Sequence, residues 1–211
     1  MTTILKTTRR SARKPKGDGH LRRGEILQAA ERIFVAEGYQ GATIRKIADE
    51  VGVSSTALYM HFRDKDEILL EICDRAIAQL LAANSDISAR PIDALARVRL
   101  MLDAYITFAI ENPNAYKVVF CSPGGEVSEG RIQATQTLGD HSFEKFSGVV
   151  RELAASGRLR AGTAESAAQA LWAACHGLVS LLLTKPHFTW APTDELRSVL
   201  VEGVLHGLVT D

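Results

Sequence analysis

Between Thr43 and Lys65 the chain gathers hydroxyls, a phenol, an imidazole and several cations, groups suited to hydrogen-bonding a polyanion. Ser55, Thr56, Tyr59 and His61 fall on the side of a short helix away from Val53, Leu58 and Phe62. Tyr59 and His61 can donate to phosphate oxygens. Ser55, Thr56 and Met60 suit base edges and the thymine methyl in the DNA major groove, and Arg45 can reach either a phosphate or a base edge. Groupings that would support catalysis are poorer. Cys175 and His176 are adjacent, so on a helix they diverge by about 100° and form no nucleophile–base pair. Asp140, His141 and Glu144 sit in one helical turn and read as a solvated face or as metal ligands. Cys73, Cys121 and Cys175 are odd in number and lack CxxC spacing and flanking cations, so neither a disulfide framework nor a reactive thiol is expected. No phosphate-binding glycine loop is present. No enzyme, cofactor or metal is expected.

The elements that must position the Thr43–Lys65 groups are legible as caps and stripes. Thr43 caps a helix whose Ile44, Ile47, Ala48 and Val51 form one apolar face. Gly52 supplies the left-handed end, and Ser54 is a second N-cap, with Val53 and Leu58 as a hydrophobic staple. Ser54 is either cap alone or also a contact, and His61 either packs at the helix end or meets a phosphate. Two helices joined by a turn of about three residues with a glycine form a helix-turn-helix. Before it, Leu21 to Glu37 reads as a helix with Ile26, Ala30, Ile33 and Phe34 on one face, closed by Gly38. After it, Asp64 and Glu67 form a capping-box-like start to a helix reaching about Ala83.

The Ile26–Phe34 helix, Gly38, Thr43-Ile44, Ile47-Ala48, Gly52-Val53-Ser54, Leu58-Tyr59, His61-Phe62, Lys65 and Ile68-Leu69 make residues 20–82 resemble the DNA-binding domain of the tetracycline-repressor (TetR) family of bacterial transcription regulators. Many members carry Gly where Thr56 stands, which alters the expected base contacts and not the fold. The resemblance implies phosphate contacts by Tyr59 and Lys65. Physical reasoning adds Thr43, whose hydroxyl and neighbouring free amides favour a phosphate at a helix N-terminus.

Downstream, the pattern predicts helices from Ile92 to Asn112, over Ala115–Phe120, over Gly130–Ser156, from Thr163 to Leu183 and from Thr193 to about Leu208, with Asn84–Pro91 as a break. No strand or repeat is found, and the expected fold is all-α with about nine helices: a three-helix head and a helical body. Leu171 to Leu178 resembles the Trp-His-Gly signature of one C-terminal domain type in that family. Trp172 and His176 lie one turn apart, either facing an effector pocket with Tyr105, Phe108, Tyr116 and Phe120 or packed in the core with a hydrogen-bonded His. Small residues at Ala167, Ala170, Ala174 and Gly177, and at Gly203 and Gly207, suit close helix approach, and the resemblance implies a four-helix-bundle homodimer.

Composition agrees with a head and a body of different character. The net charge is zero, yet residues 1–66 hold 13 Lys and Arg against 8 Asp and Glu, and the remainder 12 against 17. Residues 1–19 read as a disordered basic arm, 20–82 as the DNA-binding domain and 83–211 as an effector-binding and dimerisation domain. The arm is either an inert tail or a minor-groove contact. No signal-peptide core is evident, and no apolar run is read as approaching the roughly 18 residues of a membrane span. The expectation is a cytoplasmic homodimeric regulator, most simply a repressor, with a near-palindromic DNA site and a partly apolar small-molecule effector. Two alternatives stay open: a DNA-binding architectural protein without an effector, and an enzyme built on the body.

Overall fold

The computed structural model describes residues 19–121, 129–160 and 162–210. The basic arm up to residue 18 and the loop at Ser122–Gly125 lie outside them. The chain divides into two compact units, Met1–Ile68 and Leu69–Asp211.

The first unit holds α1 (Gly19–Gly41), α2 (Ile44–Val51), α3 (Ser55–Tyr59) and the first turn of α4 (Lys65–Ser88). Gly38, at φ 71° and ψ 175°, interrupts α1 where the sequence reading ends it, and the chain makes one further turn to Gly41. The Thr43 hydroxyl accepts from Lys46 N at 3.2 Å, and Ile47 and Ala48 are sealed beneath α2. Gly52 takes the left-handed conformation, φ 74°, that releases the chain from α2. Ser54 Oγ accepts from Ala57 N at 3.1 Å and opens α3. Leu58 and Phe62 join Ile26, Ala30, Phe34 and Ile68 in the core. At the start of α4, Asp64 accepts from Glu67 N at 2.8 Å. The returning bond comes from Arg63 N to Glu67 at 2.7 Å, one residue upstream of a standard capping box.

The second unit continues α4 and adds α5 (Ala94–Glu111), α6 (Pro113–Tyr116), a π turn (Lys117–Cys121), α7 (Glu129–Ala155), α8 (Ala164–Thr184) and α9 (Thr193–Leu208). Helices α5, α7 and α8 pack on one another, and α9 lies against α8 and α5. Their core includes Val98, Met101, Ile106, Tyr116, Val150, Leu153, Leu171 and Val201. Among the described residues there is no strand, only an antiparallel bridge between Leu159 and Val209.

Four details depart from the sequence reading. Helix α4 runs through the polar Asn84–Ser88 stretch because Ile87 is buried and Asn84 Nδ2 donates to Ser142 O at 3.2 Å. The boundary read at residue 82/83 therefore falls inside a continuous helix, and the compact units part at 68/69. Helix α5 starts two residues late, where Asp93 accepts from Ala96 N at 3.0 Å. Finally, α8 is long and apolar enough, by length and composition, to cross a membrane. The sequence reading finds no apolar run of that length. Its Ala168, Leu171, Cys175 and Val179 line the core, yet only 28% of its apolar stretch is buried, so a second apolar side stays open.

Candidate functional site

The helix-turn-helix presents its polar groups outward because its anchors are consumed inward. Thr43, Arg45, Ser54, Thr56, Tyr59 and Met60 are exposed, Ser55, His61 and Lys65 half-buried, and Leu58 fully buried. Tyr59 is 55% and Met60 83% exposed, high values for large apolar side chains on a folded unit. Met60 is the C-cap of α3, so it stands at the end opposite Ser55 and Thr56 and does not share their position at the helix N-terminus. Thr43 and Ser54 both spend an acceptor lone pair on capping, which leaves each hydroxyl proton available for donation.

The cations divide into braces and outward-facing heads. Lys65 Nζ donates to Tyr39 O at 2.8 Å and Ala42 O at 3.4 Å and lies 3.9 Å from the Tyr39 ring centroid. Two of its three donors are thus tied to the end of α1, and one remains. Arg23 donates to His61 O, which closes the end of the recognition helix, and stacks 4.0 Å from the Phe62 ring centroid. Lys46 is paired with Glu37. Arg45 and Arg63 project outward, with side chains 87% and 80% exposed, each beside a carboxylate four positions on, Asp49 at 3.9 Å and Glu67 at 3.3 Å. Arg63 is a residue the sequence reading missed. Its signal was Glu67 four positions on, whose carboxylate accepts the Arg63 backbone N–H and lies 3.3 Å from Nε. That backbone bond is the main reason the Glu67 carboxyl stays below its ordinary value.

In the second unit, rings from α5, α6, the π turn and α8 meet around His176. Tyr116 Oη lies 2.7 Å and Tyr105 Oη 3.0 Å from His176 Nδ1, and the two hydroxyls are 3.3 Å apart. Phe120 packs 4.9 Å from Tyr116 and 5.7 Å from His176 between ring centroids. Trp172 sits 5.8 Å from His176 and 5.6 Å from Phe143. Five of the six expected pocket residues are therefore neighbours, and the imidazole is hydrogen-bonded. Phe108 is not brought into these ring contacts. Three residues past Tyr105 advance about 300° around α5, so Phe108 turns to a neighbouring face and lines a separate recess of about 420 Å³ with Ile87, Leu100, Asp103 and Arg197.

Burial pushes the His176 imidazole below its ordinary value of 6.5. Between the two values the unfolded chain binds more protons than the folded one, so this stabilisation is complete above about pH 6.5 and is lost as pH falls through the folded value. Mild acidification should therefore lower the melting temperature of the second unit, and His176→Phe should flatten that dependence. Tryptophan-fluorescence melts at stepped pH check it. Burial likewise pushes the Cys73 and Cys175 thiols up to about 12, which keeps them protonated and unreactive at neutral pH. The Cys121 side chain lies outside the described residues. Asp140, His141 and Glu144 are exposed, and Glu144 is paired with Arg151.

Small residues of α8 and α9 divide by face. Ala170, Gly203 and Gly207 are exposed and Ala174 and Gly177 half-buried, whereas Ala167, 2% exposed, belongs to the core of its own protomer and is withdrawn from a shared face. Leu181 and Val199, 47% and 68% exposed, extend the open apolar surface and were not singled out from the sequence.

A helix-turn-helix head with an exposed polar recognition face, followed by an α-helical body, defines a DNA-binding regulator. Residues 26–72 match the family described as bacterial regulatory proteins, tetR family, and residues 98–204 match the tetracyclin repressor-like C-terminal domain. The chain belongs to the TetR family and is a DNA-binding transcription regulator. It is 33% identical over 144 residues to the HTH-type transcriptional activator FasR of Mycolicibacterium smegmatis, a match spanning 66% of this chain and 64% of that protein. It is 29% identical to the nucleoid occlusion factor SlmA of Sodalis glossinidius, across 88% of this chain and 95% of that one. The solved ketosteroid transcriptional regulator KstR2 of Mycobacterium tuberculosis shares the fold, with TM-score 0.77 and 23% identity over 90% of this chain and 96% of that one.

Proposed function

We propose that this chain is a homodimeric repressor that holds a near-palindromic operator and releases it when a small molecule binds the helical body. The observation that carries the reading is the division of labour in the head. Leu58 and Phe62 fix a five-residue helix from below, and the polar side chains around it stay uncovered. Thr43 and Tyr59 then hold the phosphate backbone, joined by Arg63 and by the remaining donor of Lys65. Ser55 and Thr56 face base edges, Arg45 reaches a phosphate or a base edge, and Met60 offers an apolar contact at the far end of α3. One head reads too few base pairs for specificity, and two heads about 34–36 Å apart read successive major grooves. The open apolar side of α8 and the exposed Gly203 and Val199 of α9 support pairing with a second copy.

Release requires an effector that binds two conformations of the protein with different affinity. The aromatic cluster around His176 supports a site for one. The likeness to proteins named for nucleoid occlusion rather than transcription supports a second reading, an architectural DNA-binding protein without an effector. Selection of operator sequences from random DNA, followed by a small-molecule release screen on the selected site, tests the proposal. A recovered inverted repeat and a releasing compound support it. Recovery of no preferred sequence removes the operator-specific repressor proposed here, and a preferred sequence that nothing releases favours the second.

The residues that hold the backbone separate by salt. Arg63→Ala should weaken binding to all sequences alike and flatten the slope of log K against log salt by about 0.9 for each phosphate that is no longer neutralised. Tyr59→Phe should weaken binding with the slope unchanged, because a phenol displaces no counterion. Salt titrations of operator binding check both, and an unchanged slope for Arg63→Ala removes that residue from the interface.

A further inference from the structure

His176 has one nitrogen engaged and one idle. Two tyrosine hydroxyls converge on Nδ1, at 2.7 and 3.0 Å. A phenol is a good donor and a neutral imidazole nitrogen a good acceptor, and with Tyr116 donating to Nδ1 the Tyr105 hydroxyl can donate in turn to Tyr116 Oη. That arrangement puts the imidazole proton on Nε2. Among the described residues Nε2 has no hydrogen-bond partner, and it is not sealed in the core either. The sealed side-chain atoms lacking partners there are Arg97 Nε and Ser147 Oγ. His176 thus keeps a donor that is not fully sealed, with the Trp172 ring tilted 5.8 Å away, the Phe120 ring edge-on at 5.7 Å, and Trp172 itself 40% exposed. Phe120 is carried by the π turn Lys117–Cys121, a local winding that is rare and concentrated at functional sites.

We propose that the Nε2–H of His176 is the polar anchor of the effector site, and that its ligand is an uncharged, flat, apolar molecule bearing a carbonyl-type acceptor. The proposal rests on the reading of the body as effector-binding and names the chemistry of that site. The aromatic rings of Trp172 and Phe120 beside the imidazole favour a planar apolar skeleton. A lone neutral N–H rewards one acceptor oxygen. A carboxylate would have to leave water for a place whose burial already disfavours charge on its own imidazole. The two tyrosines fix the tautomer and act as positioning residues, in the way outer partners orient a functional imidazole.

Three probes of one shape test this on the full-length protein: 2-acetonaphthone, 2-isopropenylnaphthalene, in which CH2 replaces the carbonyl oxygen, and 2-naphthoate. Calorimetric titration at neutral pH should show the ketone binding about five- to tenfold more tightly than the alkene, the worth of one hydrogen bond, and the anion most weakly. His176→Phe should retain alkene binding and erase the ketone's advantage. In wild-type protein labelled with 15N-histidine, the free state should show His176 protonated at Nε2, with that resonance moving on ketone addition. This measurement holds even if the variant misfolds. Protonation at Nδ1, equal affinity for ketone and alkene, or no binding of any probe at millimolar concentration overturns the proposal. If a different compound still releases the operator, the donor assignment alone has failed. If no compound of any charge class does, the effector reading falls with it.

Discussion

Gly203→Leu is expected to leave the protomer folded and to abolish the dimer. A Cβ placed at Gly203 meets nothing within 4 Å in its own chain. Replacing an interior helical glycine also recovers about 1 kcal/mol of helix propensity, so the isolated protomer loses nothing. Only a second copy closing on that face can object to the larger side chain. Glu202, on the neighbouring edge of α9, is held by Arg99 through bonds of 2.7 and 2.8 Å, which fixes the side on which α9 meets α5. Each head then binds DNA alone, without the effective concentration supplied by its twin, and operator affinity should fall by about 10²–10⁴. Sedimentation equilibrium and operator titration check this together. A variant that remains dimeric with undiminished affinity excludes Gly203 from the interface.

The head was legible because local signals agree there with tertiary demands. Thr43, Gly52 and Ser54 are each the residue type that their backbone geometry requires, and the stripe Ile44, Ile47, Ala48, Val51 has one period and one partner face. The body was less legible where long-range packing overrides composition. Asn84 looks like the start of a loop until its amide is paired with Ser142, 58 positions away. Ala167 and Ala170 look equivalent as small residues, yet three positions around α8 turn one into the core and leave the other open. Tyr105 and Phe108 diverge on α5 for the same reason. The braces Arg23 and Lys65 were invisible as braces, since their acceptors are backbone carbonyls of His61, Tyr39 and Ala42, and a carbonyl has no residue type.

Leu58→Ala should cost about 2–5 kcal/mol and unfold the head while the body survives. Helix α3 spans only Ser55–Tyr59, far below the length at which a helix persists without tertiary support. Its anchors are therefore few: the Ser54 cap at one end, Arg23 on the His61 carbonyl at the other, and the wholly buried Leu58 between them. A unit ending at Ile68 has a small core and little stability to spare. The two tryptophans, Trp172 and Trp190, both lie in the second unit, so their fluorescence reports the body alone, whereas far-ultraviolet circular dichroism reports both units. In the variant, the dichroism melt should gain an early transition while the fluorescence melt stays near the wild-type temperature, and operator binding should fall by at least about a hundredfold, matching the lost folding energy. If both probes shift together, the units unfold as one cooperative block. If neither shifts, Leu58 is not the anchor of the recognition helix, and the exposed face of α3 is held by its caps.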